Sequence, residues 1–299
     1  MTEFNWNDLR AFLATARSGR LTAAAARLGT DHTTVARRIA ALEASLGARL
    51  FDRSPQGYAL TPHGERLVPH AEKIESQAMR AAGEVGEADQ AITGVVRIGA
   101  PEGFGSHVLA PLMGRLADLH PELEIQLVAI PGVLSLSKRE ADIAVTLSQP
   151  REGRLSARKL TDYTLGLYGA PAYLDAAPPL KVRADMERHR FIGYIDDLLY
   201  APELDYMEAP DVTIRVGLKS SSLIAQHQAT LAGAGLCILP DFMAGRDARL
   251  RRALSDQVRV ERTFWLVTHA DLTRLARIRA VTSLIVDAVR KDRRRFIRP

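Results

Sequence analysis

Residues 20–46 read RLTAAAARLGTDHTTVARRIAALEASL, and the rest of the chain is organised around them. Leu21–Leu28 is nearly all alanine and leucine, a strong helix composition. Gly29 is the usual C-terminal stop, and Asp31 suits the N-cap of a second helix. At about 100° per residue, Val35, Ile39, Leu42 and Leu46 share one face of that helix, which belongs in a core. Thr33, Arg37, Ala40, Ala41 and Ala44 lie opposite, with Thr34 at the border. A solvated face would carry Glu and Lys. This one carries hydroxyls, a guanidinium and methyl groups, so another surface can approach it closely. Two short helices joined by a tight turn, the second one shallow-faced, suit insertion into a DNA major groove. The alternative is a surface helix of an ordinary bundle.

The flanking residues complete a small head. Trp6, Leu9, Phe12, Leu13 and Ala16 make an apolar stripe over residues 6–17, capped by Asn5 or Asn7 and ended by Ser18-Gly19. After Gly47, Leu50-Phe51 and Tyr58–Leu60 flank Ser54-Pro55-Gln56-Gly57, a type I turn signal. This predicts a small β-hairpin, or wing, with Arg53 at its tip. Thr61-Pro62 then opens a new helix, Thr as N-cap and Pro at the first position. Along it Leu67, Ala71, Ile74, Ala78, Ala81 and Val85 recur at alternating spacings of three and four. Such a seam predicts pairing with a second copy of the chain, with a kink at Pro69. The boundaries read from this are a winged head over 1–63 and a linker, or dimerisation, helix and hinge over 64–93.

Composition narrows the class. The 299 residues, 46% hydrophobic and 25% charged, suffice for two or three domains with real cores. No run approaches the roughly 20 apolar residues of a membrane helix. The opening MTEFNWNDLR lacks the basic and then apolar character of a secretion signal, so the expected compartment is the cytoplasm, with no membrane partner. The single cysteine, Cys237, excludes an internal disulfide. The net charge of +5 is unevenly spread. Residues 1–63 hold eight arginines against five acids, while RKDRRRFIRP at 290–299 holds six bases and one acid. The basic end reads as a solvated or frayed terminus rather than a binding arm.

From Val95 the chain alternates strands and helices. Strands are expected at 95–100, 123–129, 141–147, 164–170, 191–194, 212–218, 235–240 and 264–270. Helices are expected at Phe104–Leu119, Val133–Arg139, from Ala172, at Ser221–Ala232 and at Leu272–Arg290. That alternation predicts parallel α/β sheets, with ligands at the carboxyl ends of the strands.

Taken in order, NDLRAFLATARSGRLTAAAARLGTDHTTVARRIAALEASLGARLFDR, ALTPHGERLVPHAEKI, GVVRIGAP, LHPELEIQL, READIAV, GAPAYL and GAGLCILP resemble a LysR-type transcriptional regulator over essentially the whole chain. The resemblance implies an α/β fold class with an all-α head: a winged helix-turn-helix, a long linker helix that dimerises, and a periplasmic-binding-protein-like effector domain over 94–299. Two α/β subdomains are implied there, one about 94–162 with 268–299 and the other about 163–267. The chain would cross between them near Thr161–Thr164 and near Thr268. The implied partners are double-stranded operator DNA, a small-molecule effector between the subdomains, further copies forming a dimer and then a tetramer, and RNA polymerase. The sequence departs from the family where Asp31-His32-Thr33 replaces a Ser-Gln opening of the recognition helix, and Ala36-Arg37-Arg38 replaces Ser-Arg-Gln.

Candidate residues follow. Arg37 can meet guanine's major-groove edge with two hydrogen bonds, a discrimination of about 1–3 kcal/mol. Thr33 and Thr34 join it in base readout. His32, Arg38 and Arg53 are assigned to phosphates, and Leu21 and Thr22 complete the DNA-facing set. The effector set is Ala100, Pro101, Glu102, Gly103 and Phe104 after the first strand, Ser148 after the third, Tyr194 and Asp196 after a second-subdomain strand, and Ser220, Ser221 and Ser222 at a helix start. Free N–H groups there suit an anion. Glu102 instead favours a cationic or hydroxyl-bearing partner, unless it is only a helix-dipole carboxylate. Cys237, in GLCIL, reads as buried and structural. Gly233-Ala234-Gly235 is no dinucleotide loop, since position 238 is Ile and a strand follows. No metal or cofactor is expected. Two rivals stand beside a regulator: a DNA-tethered enzyme, against which the chain has no GxSxG, P-loop, HExxH or Cys/His cluster, and a sequence-indifferent DNA coater.

Overall fold

A computed structural model describes residues 5–55, 57–85, 92–130, 132, 136, 141–150, 154–206, 212 and 214–298. The backbone divides into two units, 1–90 and 91–299.

In the first unit α1 (Trp6–Ser18), α2 (Leu21–Leu28) and α3 (His32–Leu46) are each closed by a left-handed glycine: Gly19, Gly29 and Gly47. Asn5 caps α1 by accepting from Asn7 N at 2.8 Å. Asp31 caps α3 by accepting from Thr34 N at 2.7 Å. Leu9, Phe12 and Leu13 of α1, Ala24 and Ala25 of α2, and Val35, Ile39 and Leu42 of α3 form one core with Leu50 and Phe51. Each fully buried large side chain contributes about 1.5–3 kcal/mol. Leu46 does not join them: it lies one turn past the core and is 36% exposed.

The wing forms as β1 (Phe51–Ser54) paired antiparallel with β2 (Gly57–Leu60). Its turn end is fixed on the α1–α2 turn, where Tyr58 N donates to Gly19 O at 2.8 Å. Gly57, at φ +135°, is required there, because a Cβ would lie 2.4 Å from that same oxygen. Arg53 is not at the tip. It pairs with Tyr58, one step back from the turn. The turn residue Gln56 lies outside the described residues.

The linker helix α4 (Pro62–Val85) starts as expected: Thr61 Oγ1 accepts from Gly64 N at 3.1 Å and donates to Arg49 O at 2.7 Å. It runs through Pro69 as one helix. Its apolar seam is split. Ala71 is fully buried in the head core and Leu67 packs against that core, whereas Ile74 is 40% exposed and Ala78 is exposed. Ala71 is therefore corrected from an intermolecular to an intramolecular contact. Among the described side chains of the helix, Leu67, Val68 and Ala71, all in its first half, pack into the head core. Arg17, its side chain 6% exposed, clamps the junction with two bonds to Glu75, at 3.2 and 2.8 Å, and a 3.5 Å ion pair to Glu72. The side chain of Val85 lies outside the described residues.

In the second unit the strands are β3 (Gly94–Pro101), β4 (Leu123–Ile130), β5 (Ile143–Thr146), β6 (Leu155–Gly169), β7 (Arg190–Gly193), β8 (Arg215–Lys219), β9 (Leu236–Pro240), β10 (Arg251–Ala253) and β11 (Arg259–His269). They hydrogen-bond in the order β4-β3-β5-β11-β6-β9-β7-β8, with β10 on β6. The expectation of parallel sheets needs correcting. Parallel pairings hold β3 to β4 and β5, and β7 to β8 and β9, but the centre is an antiparallel ladder of β6 with β11. These two strands carry the chain between the halves. The N-terminal part of β6, Leu155–Tyr163, was missed because Leu155 and Ala157 are only half-buried between exposed Ser156 and Arg158, leaving a weak alternation. A bulge between Phe264 and Trp265, opposite Thr161, marks the passage. From Trp265 to Thr268, β11 already pairs with β5, so the passage falls before Thr268.

The helices are α5 (Glu102–Phe104), α6 (Ala110–Leu119), α7 (Pro171–Ala176), α8 (Leu223–Leu231), α9 (Asp241–Ala244), α10 (Ala276–Lys291) and α11 (Arg293–Phe296). Between α5 and α6 a π-helical stretch, Gly105–Leu109, passes so close to β4 that a Cβ on Gly105 would lie 2.4 Å from Ala129 Cβ. The expected helix Val133–Arg139, apart from Leu136, and hinge residues 86–91 fall outside the described residues.

The basic end is not frayed. Phe296 is 1% exposed, and Arg295 donates to Phe242 O at 3.0 Å and His107 O at 2.7 Å. Arg298 N donates to Thr164 Oγ1 at 3.1 Å, and Thr164 and Tyr168 both donate to the buried carboxylate of Asp241.

Candidate DNA-reading face and effector crevice

The free face of α3 carries Thr33, Arg37, Ala40, Ala41 and Ala44, all exposed, with Thr34 half-buried at its edge. Asp31 organises its N-terminal end. Thr33 Oγ1 donates to Asp31 Oδ1, and Thr34 Oγ1 to Asp31 Oδ2 at 2.7 Å. The hydroxyl bonds of Thr33 and Thr34, with the Thr34 backbone N–H, hold the Asp31 carboxyl well below its ordinary value, so it stays ionised. With their hydrogens so engaged, both threonines face outward as acceptors. The sequence reading treated Asp31 as a cap alone.

His32 and Thr22 are exposed and Leu21 half-buried against the head core. Arg38 is half-buried, its guanidinium 3.5 Å from Asn7 O. Arg53 keeps a side chain 56% exposed, but lies 5.6 Å over the Tyr58 ring and 3.8 Å from Glu43. Glu43 in turn accepts from Leu50 N at 2.8 Å.

In the second unit, a cavity of about 380 Å³ opens at the carboxyl ends of β3 and β5. Gly99, Ala100, Pro101, Val145, Leu147, Ser148, Tyr200 and Val267 are among its walls. It shares Pro101, Leu147 and Tyr200 with a narrow extension of about 30 Å³. That extension is walled by Glu102, Gly103, Ser221 and a set of rings: Phe104, Tyr163, Tyr194, Tyr200, Tyr206, Phe242 and Phe264. Burial raises the phenols of Tyr163, Tyr194, Tyr200 and Tyr206 above their usual range, so all are neutral near pH 7.

The eleven expected effector residues therefore divide. Ala100, Pro101 and Ser148 line the main cavity, and Pro101, Glu102, Gly103, Phe104, Tyr194 and Ser221 line the extension. Phe104 is fully buried, a packing group more than a contact surface. Asp196 does not belong with them: its side chain is 80% exposed and paired with Lys219 at 2.5 Å. Ser220 and Ser222 line neither space. Ser220 Oγ accepts from Ser222 N at 3.1 Å, and Ser222 caps α8 by accepting from Ala225 N at 3.1 Å. The anion site expected at the start of α8 is filled from within. Ser222 Oγ donates to Glu102 Oε1 at 2.9 Å and Ile224 N to Glu102 Oε2 at 3.4 Å. Sequence reasoning missed Leu147, Thr146, Tyr200 and Val267. Their places depend on which strands neighbour one another, and no local pattern carries that.

Cys237 is 1% exposed, and burial pushes its thiol up to about 12, in keeping with an inert structural cysteine. Among the described residues no group of three or more His, Cys, Asp or Glu is placed to hold a metal ion, and no helix is long and apolar enough to cross a membrane.

A winged helix-turn-helix with a free recognition face, in one chain with a two-halved α/β unit enclosing a crevice, defines a ligand-responsive DNA-binding protein as a class. Residues 6–65 match the bacterial regulatory helix-turn-helix protein, lysR family, and residues 89–290 match the LysR substrate binding domain. The chain belongs to the LysR family of transcriptional regulators, with a DNA-binding head and an effector-binding domain. It is 28% identical over 251 residues to the regulator PtxR of Pseudomonas aeruginosa, covering 83% of this chain and 80% of that one. It is 27% identical over 283 residues to the Mau operon transcriptional activator of Paracoccus denitrificans, covering 95% and 96%. A full-length variant of OxyR from Pseudomonas aeruginosa shares the fold at a TM-score of 0.69 and 19% identity, covering 96% of this chain and 98% of that one. CrgA from Neisseria meningitidis does so at 0.57 and 24%, covering 95% and 99%.

Proposed function

We propose that α3 reads an operator through Thr33, Thr34 and Arg37, while Leu21, Thr22, His32, Arg38 and Arg53 hold the head on the sugar–phosphate backbone. Arg37 takes guanine. Thr33 and Thr34, facing out as acceptors, take amino groups of adenine or cytosine. The observation that carries this reading is the exposed, shallow face of Thr33, Arg37, Ala40, Ala41 and Ala44. The face of α4 carrying the exposed Ile74 and Ala78 pairs with a second copy and brings two heads to two half-sites. A tetramer then follows from a further contact, and RNA polymerase is the downstream partner.

The effector binds in the crevice lined by Ala100, Pro101, Leu147, Ser148 and Tyr200, and shifts how the heads engage DNA. Its volume of about 380 Å³ falls in the range of small-molecule sites. The protein acts in the cytoplasm by binding and not by turnover, in keeping with a family of regulators. The test is footprinting of full-length protein on the DNA upstream of its own gene, with and without a metabolite library. A protected site, altered in extent by a metabolite, is expected. Protection no better than on random DNA at physiological salt would defeat the reading.

A further inference from the structure

Among the described residues, the charges lining the crevice are one-sided. Among the described residues lining the cavity and its extension, Glu102 is the one charged side chain. A shallow pocket at the mouth, sharing Leu147, Ser148 and Pro150 with the cavity, adds Glu203, whose Oε2 is buried without a hydrogen-bond partner. No Lys or Arg lines any of the three spaces among the described residues. The nearby Arg262 is held away, its Nε donating to the backbone oxygen of Glu203 at 3.0 Å.

The start of α8 would ordinarily recruit an anion. Here Glu102 occupies it through Ser222 Oγ and Ile224 N. An incoming carboxylate would meet another carboxylate instead of free N–H groups. Glu102 spends two of the roughly four acceptor positions of a carboxylate on these bonds, and the others remain for a donor. The rings of Tyr163, Tyr194, Tyr200 and Tyr206 surround the same space, and the negative faces of aromatic rings stabilise cations.

We propose that the crevice selects an organic cation, whose ammonium head is held by Glu102 and whose apolar body fills the main cavity. This rests on the crevice being the effector site. Glu102 is then the specificity-determining residue, and its bond to Ser222 ties the ligand's charge to a contact between the two halves.

The test uses full-length protein, isothermal titration calorimetry at pH 7, and three probes with one phenyl body: 2-phenylethylammonium, 2-phenylethanol and phenylacetate. The ammonium should bind about tenfold or more tighter than the alcohol, the gain of a hydrogen bond to a charged group, with phenylacetate weakest. Glu102→Gln keeps an acceptor for Ser222 and should erase the preference, while Glu102→Asp should retain part of it. Phenylacetate or the alcohol binding as tightly as the ammonium, a preference surviving in Glu102→Gln, or no binding by any probe would each overturn the proposal. Ser148→Trp, at an exposed position on the rim, separates the two readings. Undiminished binding there would place the ligand elsewhere and defeat the crevice reading itself.

Discussion

Phe104→Ala tests whether the two halves of the effector domain are joined by the packed aromatic cluster described above. Phe104 is fully buried, with ring centroids 4.6 Å from Phe264, 6.2 Å from Phe296 and 6.3 Å from Phe242. Its neighbours come from β11, α11 and α9, separate segments that collapse poorly onto a void. Truncating a buried phenylalanine costs about 3–5 kcal/mol, and the lost aromatic pairs favour the upper end. A domain of this size loses about 2–4 °C of Tm per kcal/mol, so the effector-domain transition should fall by about 6–20 °C. The head has its own core of Leu9, Phe12, Ile39 and Leu42, so its transition should stay in place. Differential scanning calorimetry of the full chain reads both. A shift below about 3 °C, corresponding to less than roughly 1 kcal/mol, would mean that Phe104 is not packed as described and that the narrow end of the crevice is open.

Arg37→Ala should lower preference for the operator over random DNA by about 5–150-fold, whereas Arg53→Ala should weaken binding to both alike; competition binding at fixed salt separates them, and an unchanged ratio for Arg37→Ala would remove it from base readout. Ala71→Asp should unfold the head by burying a charge, while Ile74→Asp should leave it folded and shift sedimentation to a smaller species; a folded Ile74→Asp protein with unchanged sedimentation would rule out pairing through this face. His107 and His227 meet edge to face at 5.9 Å. Burial lowers both below 6.5, the mutual charge adding to it for His227. The unfolded chain therefore binds more protons, and stability should fall as pH drops below about 6.5 toward the folded-state values. His227→Asn should flatten that decline in thermal unfolding between pH 7 and 5, and an equally steep decline would exclude the pair as its source.

The head was legible almost to the residue, because its signals are local. Three glycines in left-handed conformation end three helices, Asp31 and Thr61 cap two, and the stripes Leu9–Phe12–Leu13 and Val35–Ile39–Leu42 have helical spacing. The seam of α4 shows where periodicity stops informing. Leu67, Ala71, Ile74 and Ala78 share one face by spacing, yet spacing does not say where the head ends and a partner could begin. In the effector domain the strands were found and their neighbours were not. That β6 and β11 lie side by side, antiparallel, depends on residues a hundred positions apart, such as Thr161 and Phe264. The crevice inherits that blindness. Glu102 could be flagged as unusual, but its bond to Ser222 spans 120 positions, which no local pattern encodes.

The β6–β11 ladder also sets how this domain can move. Both passages of the backbone run through the same ribbon, side by side, with an irregularity between Phe264 and Trp265. A change in the angle between two lobes strung on one ribbon has to pass through that ribbon, and its irregular step is where the ladder is least regular. A signal from the crevice would then leave this domain as a change of angle, read by whatever grips the outer surface of either lobe.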